Sequence, residues 1–468
     1  MCMAEIDYDL IVVGAGTAGI PCAVQAASRG LHVLLLEKAQ QVGGSLHISG
    51  GHMSAAGTRR QREKGIVDTV QAHRDDVDRI SSGTARSDLV NKATELAAPT
   101  LDWLEDNGFE FAPEVPRLVY GHEPYSIPRT YYGPEQGKSI YNVLQKLLDH
   151  ATANYRLTLM MGSPVRSLSQ SFDGAVCGVI LDDGRQIFAT NTVLTTGGFG
   201  ANPELFDRLE KAELVSAAWT TSTGDGLLMA EAIGAAVVGE GTYLPTFGGL
   251  PSPDGTGRVR WSDRPLLIAA ERAPYEIYVD RSGNRWVAED EPSIDKKEHA
   301  LTGVEKMTFW TVFDEVGLEI SRPMIIDWEP EKLRDQANIL PGVFSGDSLE
   351  ELAQRAGINA QGLLKTVEEY NQDLLAGIPD KFGRNFRPAI ISKGPFYAIQ
   401  NHAITLITFS GIDVDDQLRV LRSDGSVIPH LFAAGELLGS AATMGRSFVG
   451  GMLVMPSLSF GKWLGNTL

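Results

Sequence analysis

The 468-residue chain, with 43% hydrophobic and 21% charged positions, has the composition of an ordinary globular protein. It is too long for one simple core, so two domains are expected. A formal net charge of −18, spread along the chain, opposes non-specific binding to nucleic acid and to anionic membrane surfaces. No apolar run is long enough to span a bilayer, and the first strand starts too early to leave room for a signal peptide, so a cytoplasmic protein is expected. Cys2, Cys22 and Cys177 form no C-x-x-C pair, which argues against disulfides, zinc and a dithiol centre.

In chain order, Leu10-Ile11-Val12-Val13 reads as a buried parallel strand that breaks into Gly14-Ala15-Gly16-Thr17-Ala18-Gly19. Gly14 permits a tight turn, Gly16 lets backbone approach a pyrophosphate, and Gly19 lets the next helix, Ile20 to about Arg29, pack on the strand. That helix aims its free N–H groups at the phosphates. A second apolar run, Val33–Leu36, ends in Glu37 and Lys38, with the acid at the distance expected for a ribose hydroxyl. The glycine-dense stretch from Gly43 to Gly57, including Gly44, Ser45, Gly50 and Gly51, fits backbone laid against a flat ligand.

Helical spacing predicts a helix over Asp88–Asn107, with Pro99 as a candidate kink. Tyr120–Gly133 follows, with four tyrosines, His122 and Arg129 between prolines and glycines, and reads as pocket lining or a packed surface loop. Strands are predicted at Leu157–Met160, Ala175–Leu181 and Gln186–Ala189, with Val193–Leu194 a separate strand delivered into Thr196-Gly197-Gly198. Asp225, between glycines at a helix start, can meet a ribityl or ribose hydroxyl. Residues 240–394 are richer in Pro, Trp and charge, with loops such as Pro251-Ser252-Pro253-Asp254-Gly255, and read as an inserted domain. The chain returns to the first domain at about Pro395. Leu431–Gly435 is again strand into glycine, and Gly450-Gly451 precedes a terminal helix. No second G-x-G-x-x-G is present, which argues against a dedicated nicotinamide domain.

Taken in this order, Gly14–Gly19 with Glu37, Gly43–Gly57, Thr196–Phe199, Thr223–Gly226 and Gly435-Glu436 with Gly450-Gly451 resemble the fumarate reductase and succinate dehydrogenase flavoproteins. That family includes 3-ketosteroid 1-dehydrogenases and urocanate reductases. The resemblance implies an α/β, doubly wound (Rossmann-like) FAD-binding domain over 1–239 and 395–468, with an α+β capping domain inserted over 240–394. It places Ala18 at the pyrophosphate, Glu37 at the adenosine ribose, and Ser45, Gly50 and Gly51 near the flavin. Val165 would meet adenine, Asp225 and Glu436 the ribityl-phosphate region, and Leu453-Val454 the pyrimidine ring. His47 is offset from the position that carries covalent flavin, so non-covalent FAD is expected.

Departures from the family pattern bear on the substrate. The arginine acid of soluble fumarate reductases follows a Gly-x-Arg-Phe segment; Gly283-Asn284-Arg285-Trp286 leads here to Ser293. Their substrate histidine falls on Ile407 and their carboxylate-clamping arginine on Phe448, with Arg446 close by. A dicarboxylate is therefore not expected, because two desolvated carboxylates need paired cationic donors. Against the ketosteroid enzymes, the oxyanion glycine is retained as Gly451, while two tyrosine positions read as Ser293 and Ser447. His122 stands in a His-Glu-Pro triplet that echoes the family's His-Arg-Pro.

The expected activity is therefore desaturation of a mainly apolar, cyclic or ketosteroid-like ketone. Gly451 N–H with Ser447 or Arg446 would meet the enolate, and Tyr131 or Tyr125, its pKa lowered by Arg129, would act as base. The alternative is an ene-reductase in which Arg129 or Arg446 grips one carboxylate. A non-catalytic flavin carrier is the remote alternative, disfavoured by a domain that caps the flavin. The electron partner is not legible.

Overall fold

The computed structural model describes residues 6–250, 252–253, 258–259 and 263–468. Cys2 and the Pro251, Asp254 and Gly255 positions of the expected loop lie outside them. Tyr8–Val13 is a central strand of the larger sheet, and its last four residues are buried. It runs parallel to Val33–Leu36 on one side and to Gln186–Leu194 on the other. Leu157–Met160 and Val427–Ala433 extend the parallel set outward. All five strands point their C-terminal ends to one edge, where open α/β sheets bind ligands.

Two expectations change in detail. The segments expected as separate strands at 186–189 and 193–194 are one strand, Gln186–Leu194. Its first residues pair antiparallel with Val176–Leu181, and from Ala189 it runs parallel to Tyr8–Val13. Its middle, Thr190-Asn191-Thr192, is polar because the strand is changing neighbours there, and that conceals its continuity. The helix Ser87–Asp106 runs unbroken through Pro99. It packs against the terminal helix Val454–Thr467, which lies in turn on Gly19–Ser28. That last contact is close enough to require glycine: a Cβ at Gly461 would sit 2.0 Å from the Ala18 carbonyl oxygen.

The second unit is built on an antiparallel sheet in the order Thr246–Phe247, Phe396–Ile404, Thr308–Asp314, Ile277–Val279, with Val343–Gly346 also paired to Phe396–Ile404. One face packs an aromatic cluster around Phe247, Tyr278 and Phe309; the other packs under helices Leu349–Ala356 and Ala360–Leu375. Phe396–Ile404 belongs to this sheet, so the second unit extends past the expected return at Pro395. The apolar core of the first unit resumes at Phe409.

Arg285 is buried in the second unit. Its guanidinium pairs with Glu289 at 2.6 Å and Asp380 at 2.5 Å, and Arg384 reaches the same Glu289 at 3.0 Å. All four side chains are at most 4% exposed, so removing the shared carboxylate leaves buried Arg384 without its ion-pair partner and Arg285 with Asp380 alone. Glu289→Ala is expected to destabilise this unit by about 3–5 kcal/mol, read as a lower urea midpoint for its transition. An unchanged midpoint would show that the network adds nothing to stability.

Candidate active site

A cavity of about 650 Å³ opens along the C-terminal edge of the parallel sheet and continues under the second unit. At one end lies the glycine turn. Gly14 adopts φ +103°, and a Cβ there would meet the Thr195 carbonyl oxygen at 2.6 Å. Gly16, Ala18 and Gly14 line the cavity, and nothing lies within 4 Å of where a Gly16 Cβ would project. Backbone is thus bared toward the space at the start of a helix, as a pyrophosphate requires.

Glu37 and Lys38 line the same end. The Glu37 carboxylate accepts N–H donors from Ala15 at 2.9 Å and Ala39 at 2.8 Å, which fixes it where the strand stops. Lys38 Nζ pairs with Asp225 at 2.6 Å, and Thr223 Oγ1 donates to the same carboxylate at 2.7 Å. Asp225 is therefore held by Lys38 and Thr223, and both it and Glu436 are in the wall. Gly44, Ser45, Gly50, Val165, Thr196, Gly197, Leu453 and Val454 are also in the wall. Thr196 Oγ1 is buried without a hydrogen-bond partner and lies against Gly226, where a Cβ would sit 2.1 Å from it. Gly19 and Gly51 are not in the wall; a Cβ on either would strike backbone at 1.8 and 2.6 Å, so both serve close packing.

The residues expected to act on substrate are arranged differently. Tyr125 lines the cavity, but its hydroxyl donates to the Gly450 carbonyl at 2.6 Å. Tyr131 is fully buried outside the wall, its hydroxyl 2.5 Å from Thr58 Oγ1. Burial pushes both phenols up, opposite to the lowered pKa a base needs. Arg129 is also fully buried, with its guanidinium on Asp68 at 2.8 Å and Asp76 at 2.5 Å, so it is neither free to grip a substrate nor part of the wall. Arg446 is exposed, and Ser447 and Gly451 lie behind the wall, with a Gly451 Cβ position 2.4 Å from Ser54 N. Gly450, one residue earlier, is the glycine in the wall.

Groups that sequence reasoning left without a role occupy the end under the second unit. His52, Arg117, His122 and Glu123 come from the first unit, and Arg264, Glu271 and Glu298 from the second, beside the apolar Phe247, Leu266, Leu267 and Ile294. His122 stacks on Phe448 with ring centroids 4.6 Å apart. Ser293 Oγ donates to Glu123 at 2.8 Å, and Ile407 is in the wall. The signal for His122 was its His-Glu-Pro triplet; nothing local marks Glu298, which is one of two acids on a short helix. Among the described residues, no His/Cys/Asp/Glu group is arranged to hold a metal ion, and no helix is long and apolar enough to cross a membrane.

Glu436 is half-buried in the wall; its carboxylate accepts the Thr408 N–H at 3.0 Å and hydroxyl at 3.2 Å. Burial nevertheless pushes it up to about 7. The folded protein thus holds this proton more tightly than the unfolded chain, and stability falls as pH rises from the ordinary glutamate range through about 7, by on the order of 3 kcal/mol. Flavin-free Glu436→Gln is expected to melt above the parent protein at pH 8 and level with it at pH 4, while binding the cofactor more weakly. Equal melting at both pH values would contradict the assignment of a costly carboxylate.

Comparison with known proteins agrees with this geometry. The FAD binding domain family matches residues 9–450. A probable fumarate reductase of Shewanella frigidimarina is 28% identical over 98% of this chain and 74% of its own length. A vinyl phenol reductase of Lactiplantibacillus plantarum is 27% identical over 93% of this chain and 91% of its own. The solved 3-ketosteroid Δ1-dehydrogenase of Sterolibacterium denitrificans shares the fold at a TM-score of 0.80 and 20% identity, covering 98% of each chain. The chain belongs to the FAD binding domain family and is an FAD-dependent oxidoreductase of the fumarate reductase and ketosteroid dehydrogenase group, whose members act on carbon–carbon bonds.

Proposed function

We propose that the protein is an ene-reductase that saturates a conjugated alkene bearing at most one anionic group. The observation that carries this reading is the fate of the three positions aligned with the dicarboxylate machinery. Ser293 spends its hydroxyl on Glu123, Phe448 stacks under His122, and Ile407 offers an apolar wall. The cations that do line this end, Arg117 and Arg264, share it with the carboxylates of Glu123 and Glu271. A dianion would meet as much negative as positive charge there, without the paired donors that offset its desolvation.

Bound FAD supplies the two-electron chemistry, held by the glycine turn, Glu37, Lys38, Asp225, Thr196 and Glu436. Non-covalent attachment is supported by His47, which lies outside the wall with its Nε2 2.8 Å from the Val42 carbonyl oxygen. The chain's own part is to exclude water under the second unit and to manage one proton. Desaturating a ketone asks for a strong base and donors aimed at an enolate oxygen. Tyr125, Tyr131, Ser447 and Gly451 are tied up or turned away as described, so the reductive direction is favoured. The aromatic and aliphatic side chains of the wall suit a substrate with an aryl or alkyl body.

Anaerobic holoenzyme pre-reduced with a viologen dye tests the reading against a panel of aryl alkenes, enones, acrylates and saturated ketones. Return of the oxidised flavin spectrum on adding a neutral or mono-anionic alkene is expected. Bleaching of oxidised flavin by a saturated ketone, with no alkene reoxidising the reduced form, would replace it with desaturation.

A further inference from the structure

The cavity is lined by a buried carboxylate, Glu298, whose oxygens have no hydrogen-bond partner. Glu298 sits on the helix Ile294–Leu301 of the second unit and is 1% exposed. The nearest cationic candidate is His122 of the first unit, whose Nδ1 is 3.8 Å from Glu298 Oε2 and is itself unpartnered. A shift of about 1 Å would bring the two into hydrogen-bond contact. A fully buried carboxylate with no partner is costly enough that a fold retains it for a reason other than stability.

The surroundings position this pair. The His122 ring lies nearly parallel to Phe448, at 23°, so its face is fixed and its edge is directed to neighbouring polar groups. The next residue, Glu123, accepts the Ser293 hydroxyl, and Ser293 also caps the helix that carries Glu298. One helix end thus clamps the loop bearing His122 and presents Glu298 to it. The partners come from different units and meet only where the second unit lies over the cavity.

We propose that His122 is the proton donor of the cavity and that Glu298, acting through it, positions the imidazole and resupplies its proton. The proposal rests on the reductive reading for its direction. One alkene carbon receives a hydride, both electrons coming from the reduced cofactor, while the neighbouring carbon receives the proton of the His122 imidazolium. The carbon–carbon π bond breaks, two C–H bonds form, the cofactor is oxidised, and His122 is left neutral. Glu298 then passes its carboxyl proton to the imidazole and takes another from water when the site opens. An external low-potential donor, reduced viologen in the assay, restores the cofactor.

The surroundings of the pair favour a protonated Glu298 carboxyl. Burial raises the Glu298 carboxyl above the ordinary glutamate range, and Asp295 adds to this, while His122 and His299 oppose it. His52 and Arg117 face His122 from the first unit, and buried Lys297 neighbours Glu298 along the helix. Burial, with His122 and Arg117 adding to it, pushes His52 down to about 4, so it stays neutral and does not compete as a proton store near neutral pH.

The test uses flavin-loaded wild type, Glu298→Gln and His122→Asn, with flavin absorbance as the check that each variant retains its cofactor. Infrared difference spectra across pH are expected to show a protonated-carboxyl carbonyl band in wild type that is absent in Glu298→Gln. In His122→Asn that band should titrate at higher pH than in wild type. With dimethyl fumarate as probe, each variant should lose about a hundredfold in kcat with KM changed less than about threefold. Added imidazole should restore part of the loss in His122→Asn only. Absence of a Glu298-dependent band, a band unmoved in His122→Asn, or wild-type kcat in both variants would overturn the proposal. Wild-type enzyme that no alkene reoxidises would sink the reductive reading alone, and the infrared titration would still decide the couple.

Discussion

Everything in this molecule hangs on one close contact, between the carbonyl of Gly14 and the start of the helix that follows it. A Cβ at Gly19 would sit 1.8 Å from the Gly14 oxygen, so strand, turn and helix fit together only as backbone on backbone. Thr195, at the end of the neighbouring strand, locks the turn by donating to the Val13 and Gly14 oxygens at 3.0 and 2.8 Å. The next residue, Thr196, is in the cavity wall. The terminal helix then closes on Ala18 and Cys22 through Gly461 and Gly465. Strand edge, helix dipole and cavity floor are therefore set by the same few atoms, and the cofactor end follows from them.

The substrate end rests on a looser constraint. Its walls are supplied by two units with separate cores, and polar contacts between them are made by side chains such as Ser293 and Glu123. Inside the second unit, buried ion pairs around Glu289 stiffen the sheet-and-helix body that carries Glu298. The division suits a redox enzyme: the rigid side grips a large cofactor, and the covering side brings in charged groups that work only when water is excluded.

How far the sequence could be read follows the same division. The cofactor end is legible because its chemistry is backbone chemistry, in which glycines at strand ends and an acid after the second strand leave local signatures. Fifteen of the seventeen expected cofactor residues line the cavity, and the exceptions, Gly19 and Gly51, are needed for packing. The substrate end is assembled from segments near 52, 117–125, 264–271 and 294–298, and no local pattern announces that they meet. Arg129 looked available because its partners, Asp68 and Asp76, lie in and before a helix, Val70–Ser81, that the sequence reading did not assign. Tyr131 sits in a two-residue strand paired with Met53-Ser54, which turns its hydroxyl to Thr58 and away from the cavity. The domain boundary slipped for a related reason: Phe396–Ile404 is apolar enough to belong to either core, and only its pairing assigns it.

The central claim is that this flavoenzyme recognises its alkene without a dicarboxylate clamp. The most direct measurement is the stopped-flow rate at which anaerobic, pre-reduced enzyme is reoxidised by dimethyl fumarate and, separately, by fumarate. The two share one carbon skeleton and one double bond and differ in charge. Reoxidation by the neutral ester at least about tenfold faster than by the dianion is the predicted result, a difference of about 1.4 kcal/mol in barrier. Faster reoxidation by fumarate would mean that cations in the cavity do clamp two carboxylates, and the account of Ser293, Ile407 and Phe448 would be wrong.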